Sequence, residues 1–116
     1  MILESRSIIF SHDELTIALR PLLEQKGIFE EIAGDALKAS LDEEGEVQVK
    51  VMAEGYDEVA PMNSREVGVA VLNHCIDKGI PLPRGSYKEL ALRGDHIALI
   101  VRLQTGDTEA AGAMGF

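Results

Sequence analysis

The pattern of apolar and polar positions predicts first a strand and then a capped helix. A short apolar run over residues 6–10 is typical of a strand. Ser11 follows it and Glu14 stands three residues further on, which is the capping-box pattern of a helix start. The helical pattern ends at Gly27 and contains Pro21, which predicts a kink or a helix in two pieces. The apolar stripe of this helix is Leu15, Ala18, Leu19, Leu22 and Leu23.

Two later regions alternate with a period of two and predict β-hairpins. The first hairpin turns through an acidic segment, residues 42–45, and the second turns through Gly94 and Asp95. The last strand is apolar at successive positions, so we expect it to be covered on both faces and to lie in the centre of a sheet. The four predicted strands are residues 37–41, 47–51, 87–93 and 96–103.

A second helix is predicted between the hairpins. Asn63 or Ser64 is suited to cap its start, and the pattern runs to about Lys78 before stopping at Gly79. Apolar residues lie almost all round this helix, so we expect it to be the more buried of the two.

The two halves of the chain resemble each other. When the sequence is shifted by 52 positions, residues 11–28 lie over residues 63–80 with five identities in 18 positions. The identical pairs are Glu14 and Glu66, Ala18 and Ala70, Lys26 and Lys78, Gly27 and Gly79, and Ile28 and Ile80. This similarity predicts two related helix–hairpin units, residues 11–53 and 63–103.

These elements predict an α+β domain over residues 1–103. The expected order is β-α-β-β-α-β-β, with a single mixed or antiparallel sheet and both helices on one face, which buries both apolar stripes. Residues 104–116 are small and polar without periodicity, and they are predicted to form a disordered tail.

Charge and composition exclude several classes of partner. The 116 residues include 20 acidic and 11 basic ones, a net charge of −9, and no cluster of basic residues, so binding to nucleic acid or to an anionic membrane is not expected. Aromatic residues are only 4% of the chain, too few for a base-stacking platform. A single cysteine excludes an internal disulfide. The sequence shows no signal-peptide pattern and no apolar run of roughly 20 residues, so a cytoplasmic location is expected.

Soft and titratable side chains come together in the sequence only on the second helix. His74 and Cys75 could bind a metal or form a nucleophile–base pair, and Asp77 follows them closely. Neighbouring residues on a helix point about 100° apart, however, and further metal ligands at suitable spacing are missing. Cys75 also occupies a position that corresponds to Leu23 in the first unit, so a core role is the preferred interpretation.

The loop before the second helix offers a second set of candidates. Tyr56, Asp57 and Glu58 lie in an irregular segment that carries two carboxylates, which could serve acid–base chemistry. His12 and His96 are expected to be a solvated helix-start residue and a hairpin-end residue. The chain lacks the glycine patterns that cradle phosphate and the serine-nucleophile motif of hydrolases.

We therefore expect a small non-catalytic module that acts in protein interaction or regulation, without a cofactor. Its acidic surface would favour a protein partner with a basic patch, and self-association to a homodimer would cover an open sheet edge. The alternative is a small-molecule or metal-binding domain, with or without enzymatic activity, that uses His74 and Cys75. That alternative requires Cys75 to be exposed and its pKa to be lowered.

Overall fold

The computed structural model describes residues 2–56 and 58–105, and it has the predicted α+β class with two helices and antiparallel sheets. Asp57 and the predicted tail beyond Thr105 lie outside the described residues. The elements in chain order are β1 (Ile2–Ile9), α1 (His12–Gln25), a short 3₁₀ helix (Gly34–Ala36), β2 (Leu37–Leu41), β3 (Val47–Val51), α2 (Ser64–Asp77), β4 (Tyr87–Arg93) and β5 (His96–Thr105).

The prediction of a single sheet is wrong, because the five strands form two antiparallel sheets. One sheet has the strand order β1-β5-β4, and the hairpin of β2 and β3 forms the other. The outer edge of β3 is occupied by the segment before α2, since Val49 and Met62 exchange two backbone hydrogen bonds of 3.0 and 2.8 Å. The two hairpins thus lie in different sheets, and the internal repeat stays a prediction.

The three-stranded sheet is built around β5, as the sequence predicted. Both of its neighbours run antiparallel to it, and Ile8 and Leu90 flank Leu99 on the face that packs on the helices. On the opposite face Ala98 and Ile100 are also buried, although they do not belong to the helix-packed core. The central strand is therefore covered on both faces, which explains its continuous apolar pattern.

Helix α1 has the predicted cap and the predicted buried stripe. The Ser11 hydroxyl accepts a hydrogen bond from the backbone N–H of Glu14 at 3.1 Å, and all five predicted stripe residues are buried. The helix is continuous from His12 to Gln25, so the predicted division into two pieces at Pro21 is wrong. Pro21 lies on the exposed side of α1.

Helix α2 is less buried than its composition predicted. Val67, Val71 and Cys75 are completely buried, but Val69 is 46% exposed and Ile76 is 62% exposed. The prediction that α2 is the more buried helix is wrong, because only one of its apolar faces contacts the core.

A network around Glu66 connects the end of α1 to the start of α2. Glu66 and Asn63 form a complete capping box, with reciprocal hydrogen bonds of 2.8 and 3.1 Å. The second oxygen of the Glu66 carboxylate lies 3.2 Å from the Lys26 ammonium, at the end of α1. The Asn63 N–H, and then Lys26, lower the pKa of Glu66, while partial burial opposes this shift.

We expect the Glu66→Gln variant to lose about 0.5 kcal/mol of unfolding free energy at pH 6, because glutamine keeps the capping-box hydrogen bond but loses the ion pair with Lys26 and the favourable charge at the helix start. Because the pKa of Glu66 is lower in the folded chain than its ordinary value of 4.5, the stabilisation is complete above that value and is lost as the pH falls through the folded pKa. Urea unfolding at pH 6 and pH 3 should therefore show a smaller difference between wild type and variant at pH 3. The exposed α1 residue Glu24 provides a Glu→Gln control, and an equal difference at both pH values would contradict the prediction.

Candidate functional site

The thiol of Cys75 is a core group. Its side chain is 0% exposed, and burial raises its pKa, although Arg6 opposes the shift. A buried thiol with a raised pKa is neither an accessible nucleophile nor a ready metal ligand. The metal-binding or enzymatic alternative requires an exposed Cys75 thiol with a lowered pKa, and the structure shows a buried thiol with a raised pKa.

His74 is buried in a different way, as half of a polar pair between the helices. Its Nε2 lies 2.6 Å from the carboxylate of Glu14 in the first turn of α1, and its ring packs at a tilt against Phe10. Glu14 thus contacts α2 with its side chain, while its backbone N–H completes the cap of α1. Asp77 is exposed and lines the same cleft of about 290 Å³ as His74. This arrangement explains His74 as a group that joins the two helices.

The candidate residues of the loop before α2 differ in their exposure. Tyr56 is half-buried against the core, and its backbone N–H donates to Ala53 in a turn. Glu58 is exposed, and Asp57 lies outside the described residues. The structure therefore gives Tyr56 a packing role and does not test the predicted acid–base pair.

Sequence reasoning missed a cluster formed by His12, Asp95 and His96. Nδ1 of His96 lies 3.1 Å from one carboxylate oxygen of Asp95, and Nε2 of His12 lies 3.7 Å from the other. The two imidazole rings are stacked, with centroids 4.5 Å apart and planes inclined by 9°. One potential ligand atom from each residue lies within 4.8 Å of the other two. Within residues 2–56 and 58–105, this cluster alone brings three potential metal ligands together.

The fold positions these three residues through the pairing of β1 with β5. The chain leaves β1 at Phe10, whose backbone N–H donates to Ile97 at 2.9 Å, so the start of α1 lies beside the start of β5. His12 is the first residue of α1, and the turn before β5 carries Asp95 directly after Gly94, whose φ is +65°. That conformation is one that glycine adopts without strain.

A close approach also holds the start of α1 in place. A Cβ atom at Gly34 would lie 2.9 Å from the backbone carbon of His12 and 3.0 Å from its Cβ, so the 3₁₀ helix fits against α1 only with glycine there. The Thr16 hydroxyl donates to the carbonyl oxygen of His12 at 2.9 Å. His12 is therefore attached to a fixed backbone, although its side chain reaches the surface.

The second candidate is a surface, which we call the outer face. It is the side of the β1-β5-β4 sheet that points away from the helices, and strand alternation places on it every second residue of each strand. Leu3 is 73% exposed, Ile9 is 56% exposed and Tyr87 is 38% exposed. The outer face consists of Leu3, Ser5, Ser7, Ile9, Tyr87, Glu89, Ala91, Arg93, His96, Ala98, Ile100 and Arg102.

The charge of the outer face differs from that of the whole chain. It carries Arg93, Arg102 and Glu89, of which the last two form an ion pair, whereas the chain as a whole has a net charge of −9. The outer face thus combines the exposed apolar side chains Leu3, Ile9 and Tyr87 with a single acidic residue, Glu89.

Comparison with protein-family models, with curated proteins and with solved structures found no match. In the part of the chain that the structure describes, neither helix is long and apolar enough to cross a membrane.

Proposed function

We propose that this protein is a non-catalytic interaction module that acts in the cytoplasm, and that its outer face binds a second copy of the same chain. The observation that carries the proposal is the exposure of Leu3, Ile9 and Tyr87 on a face that the two helices leave uncovered. Leu3 and Ile9 lie towards opposite ends of β1, with Ser5 and Ser7 between them, so the face offers separate apolar side chains that a partner would cover.

Charge favours a second copy as the occupant. Two copies of a chain with a net charge of −9 repel each other over most of their surfaces. The outer face contributes two arginines and one glutamate, so two such faces can approach each other without bringing acidic groups together. Like-charge contact would oppose self-association through the acidic turn at Asp42, Glu43 and Glu44.

Shape favours the same occupant. Two sheets pack face to face at about 10 Å, and small side chains in the centre of the face allow this approach. Ala91 and Ala98 are neighbours in the ladder between β4 and β5, with Ile9 on the other side of Ala98. In a twofold dimer the same patch serves both partners, so Ile9 of each copy would lie over the low surface at Ala91 and the buried Ala98 of the other.

The test replaces exposed residues that the fold does not need. We expect the wild-type chain to have twice its mass of 12.6 kDa in light scattering after size exclusion, and the Leu3→Lys/Ile9→Lys variant to be monomeric at the same concentration. Four introduced charges would have to be buried between two copies of the variant, which is unfavourable without partners for them.

A matched control makes the same change elsewhere on the surface. Ile17 on α1 is 54% exposed and Phe29 is 75% exposed, so the Ile17→Lys/Phe29→Lys variant should remain dimeric. A wild-type chain that stays monomeric at millimolar concentration would overturn the proposal. The proposal would also be overturned if the outer-face variant still dimerised and the control variant did not.

A further inference from the structure

We infer that His12, Asp95 and His96 form a binding site for a divalent transition-metal ion of the zinc type. The site lies at the end of the three-stranded sheet, where the start of α1 meets the turn between β4 and β5. Neither Cys75 nor His74 belongs to it, so it differs from the metal site that the sequence suggested. One chain supplies all three ligands, and His96 lies at the border of the outer face, where it pairs with Arg93.

The distances between the three residues are close to those of a metal site. Zinc bonds of about 2.0–2.2 Å in tetrahedral geometry place the ligand atoms of neighbouring side chains roughly 3.3 Å apart. The two His–Asp distances here are 3.1 and 3.7 Å, on either side of that value. A metal ion lies in the plane of each imidazole that binds it, and the two stacked planes are inclined by only 9°, so one ring must rotate out of the stack to complete the geometry. The side chains are 37%, 78% and 40% exposed, which leaves room for that rotation.

The hydrogen-bonding pattern also leaves the ligand atoms available. His12 Nε2 lies 3.3 Å from the backbone carbonyl oxygen of Asp95, a long contact that an ion can replace. Metal binding requires neutral imidazole nitrogens and an ionised carboxylate.

The chemistry of the donors selects the class of metal. Imidazole nitrogen is a preferred donor for Zn²⁺, Co²⁺, Ni²⁺ and Cu²⁺, whereas Mg²⁺ and Ca²⁺ prefer sites made entirely of oxygen. Two imidazoles and one carboxylate give three protein ligands and leave a fourth position for water or for an external ligand. The exposure of all three side chains gives the ion a direct path from solvent.

The experiment titrates Zn²⁺ into untagged protein freed of metal by a chelator, under reducing conditions. We expect one ion per chain, a rise in Tm of roughly 10 °C when free Zn²⁺ reaches about 100 times its Kd, and no comparable rise with Mg²⁺ or Ca²⁺. Co²⁺ should give the visible absorption of a four-coordinate site. Because protons compete for the imidazoles, the Zn²⁺ affinity should fall as the pH is lowered.

Single substitutions of the ligands give the main readout. His12→Gln and His96→Gln should each weaken Zn²⁺ binding by more than about tenfold, as expected when a direct ligand is lost. Both residues are partly exposed, so the variants should keep the unfolding profile of the metal-free wild type.

Two control variants distinguish this site from the site suggested by the sequence. Cys75→Ala removes the only thiol and His74→Gln removes the only histidine outside the cluster, and both should keep wild-type Zn²⁺ affinity. Zn²⁺ binding that survives in the His12→Gln/His96→Gln variant, or that is lost in Cys75→Ala, would overturn the inference. Absence of Zn²⁺ binding to the wild type would overturn the inference. A stoichiometry of one ion per two chains would also overturn it, since the ion would then bridge two copies.

Discussion

The Leu19→Asp variant is expected to be unfolded at 25 °C. Leu19 is 0% exposed in the middle of the α1 stripe, so the new carboxylate would enter an apolar core without a partner. The cost of burying it is several kcal/mol, comparable to the whole unfolding free energy of about 5–15 kcal/mol of a domain of this size. Circular dichroism of the purified variant should show loss of helix and no cooperative urea transition.

The control for this prediction is Ile17→Asp, two residues earlier on the same helix. Ile17 is 54% exposed, so the same substitution should cost no more than about 1 kcal/mol, mainly through the lower helix propensity of aspartate. A cooperative transition of Leu19→Asp with the wild-type midpoint would show that α1 is not packed as described. Equal losses in both variants would show that helix propensity, not burial, determines the result.

The success of the sequence in placing α1 has a clear physical basis. Apart from Ile17 and Pro21, its apolar residues lie on one side, and Ser11 and Gly27 mark its two ends, so periodicity and capping indicate the same helix. In α2 the capping signal was equally good, and Asn63 forms a complete capping box. The buried face of α2 could not be predicted, because apolar residues such as Val69 and Ile76 surround it and only tertiary packing decides which side faces the core.

The division into two sheets was not predictable from alternation alone. Period-two patterns identify a hairpin and its faces, but they do not say which neighbour pairs with its outer edge. The bridge between Val49 and Met62 depends on a segment without strand periodicity, and it occupies the edge that a single sheet would have used.

The cluster of His12, Asp95 and His96 was missed because it depends on long-range pairing. His12 and His96 are separated by most of the chain, and the antiparallel pairing of β1 with β5 brings them together. A signal was nevertheless present: one histidine follows the first strand, another begins the last strand, and an aspartate precedes it. Had the pairing of the first and last strands been assumed, these positions would have met at one end of the sheet.

His74 provides the second large effect, because it is a buried polar residue whose partner is on the other helix. We expect His74→Ala to lower the unfolding free energy by about 2–3 kcal/mol. One part of this loss is the hydrogen bond to the Glu14 carboxylate, and another is the cavity beside Phe10. Urea unfolding monitored by circular dichroism measures the loss.

A double-mutant cycle with Glu14 separates the pair from the packing of the ring. Because the carboxylate contacts His74 at 2.6 Å, His74→Ala should cost about 1–2 kcal/mol less in a Glu14→Ala background than in the wild type. Glu14→Gln keeps an acceptor oxygen and should lose less than Glu14→Ala. If the effects of the two alanine substitutions on the unfolding free energy add within about 0.5 kcal/mol, the contact does not join the helices. The contribution of His74 to stability then comes from packing alone. A measurable coupling would instead explain why a polar side chain occupies the α2 position that the predicted repeat aligns with Leu22.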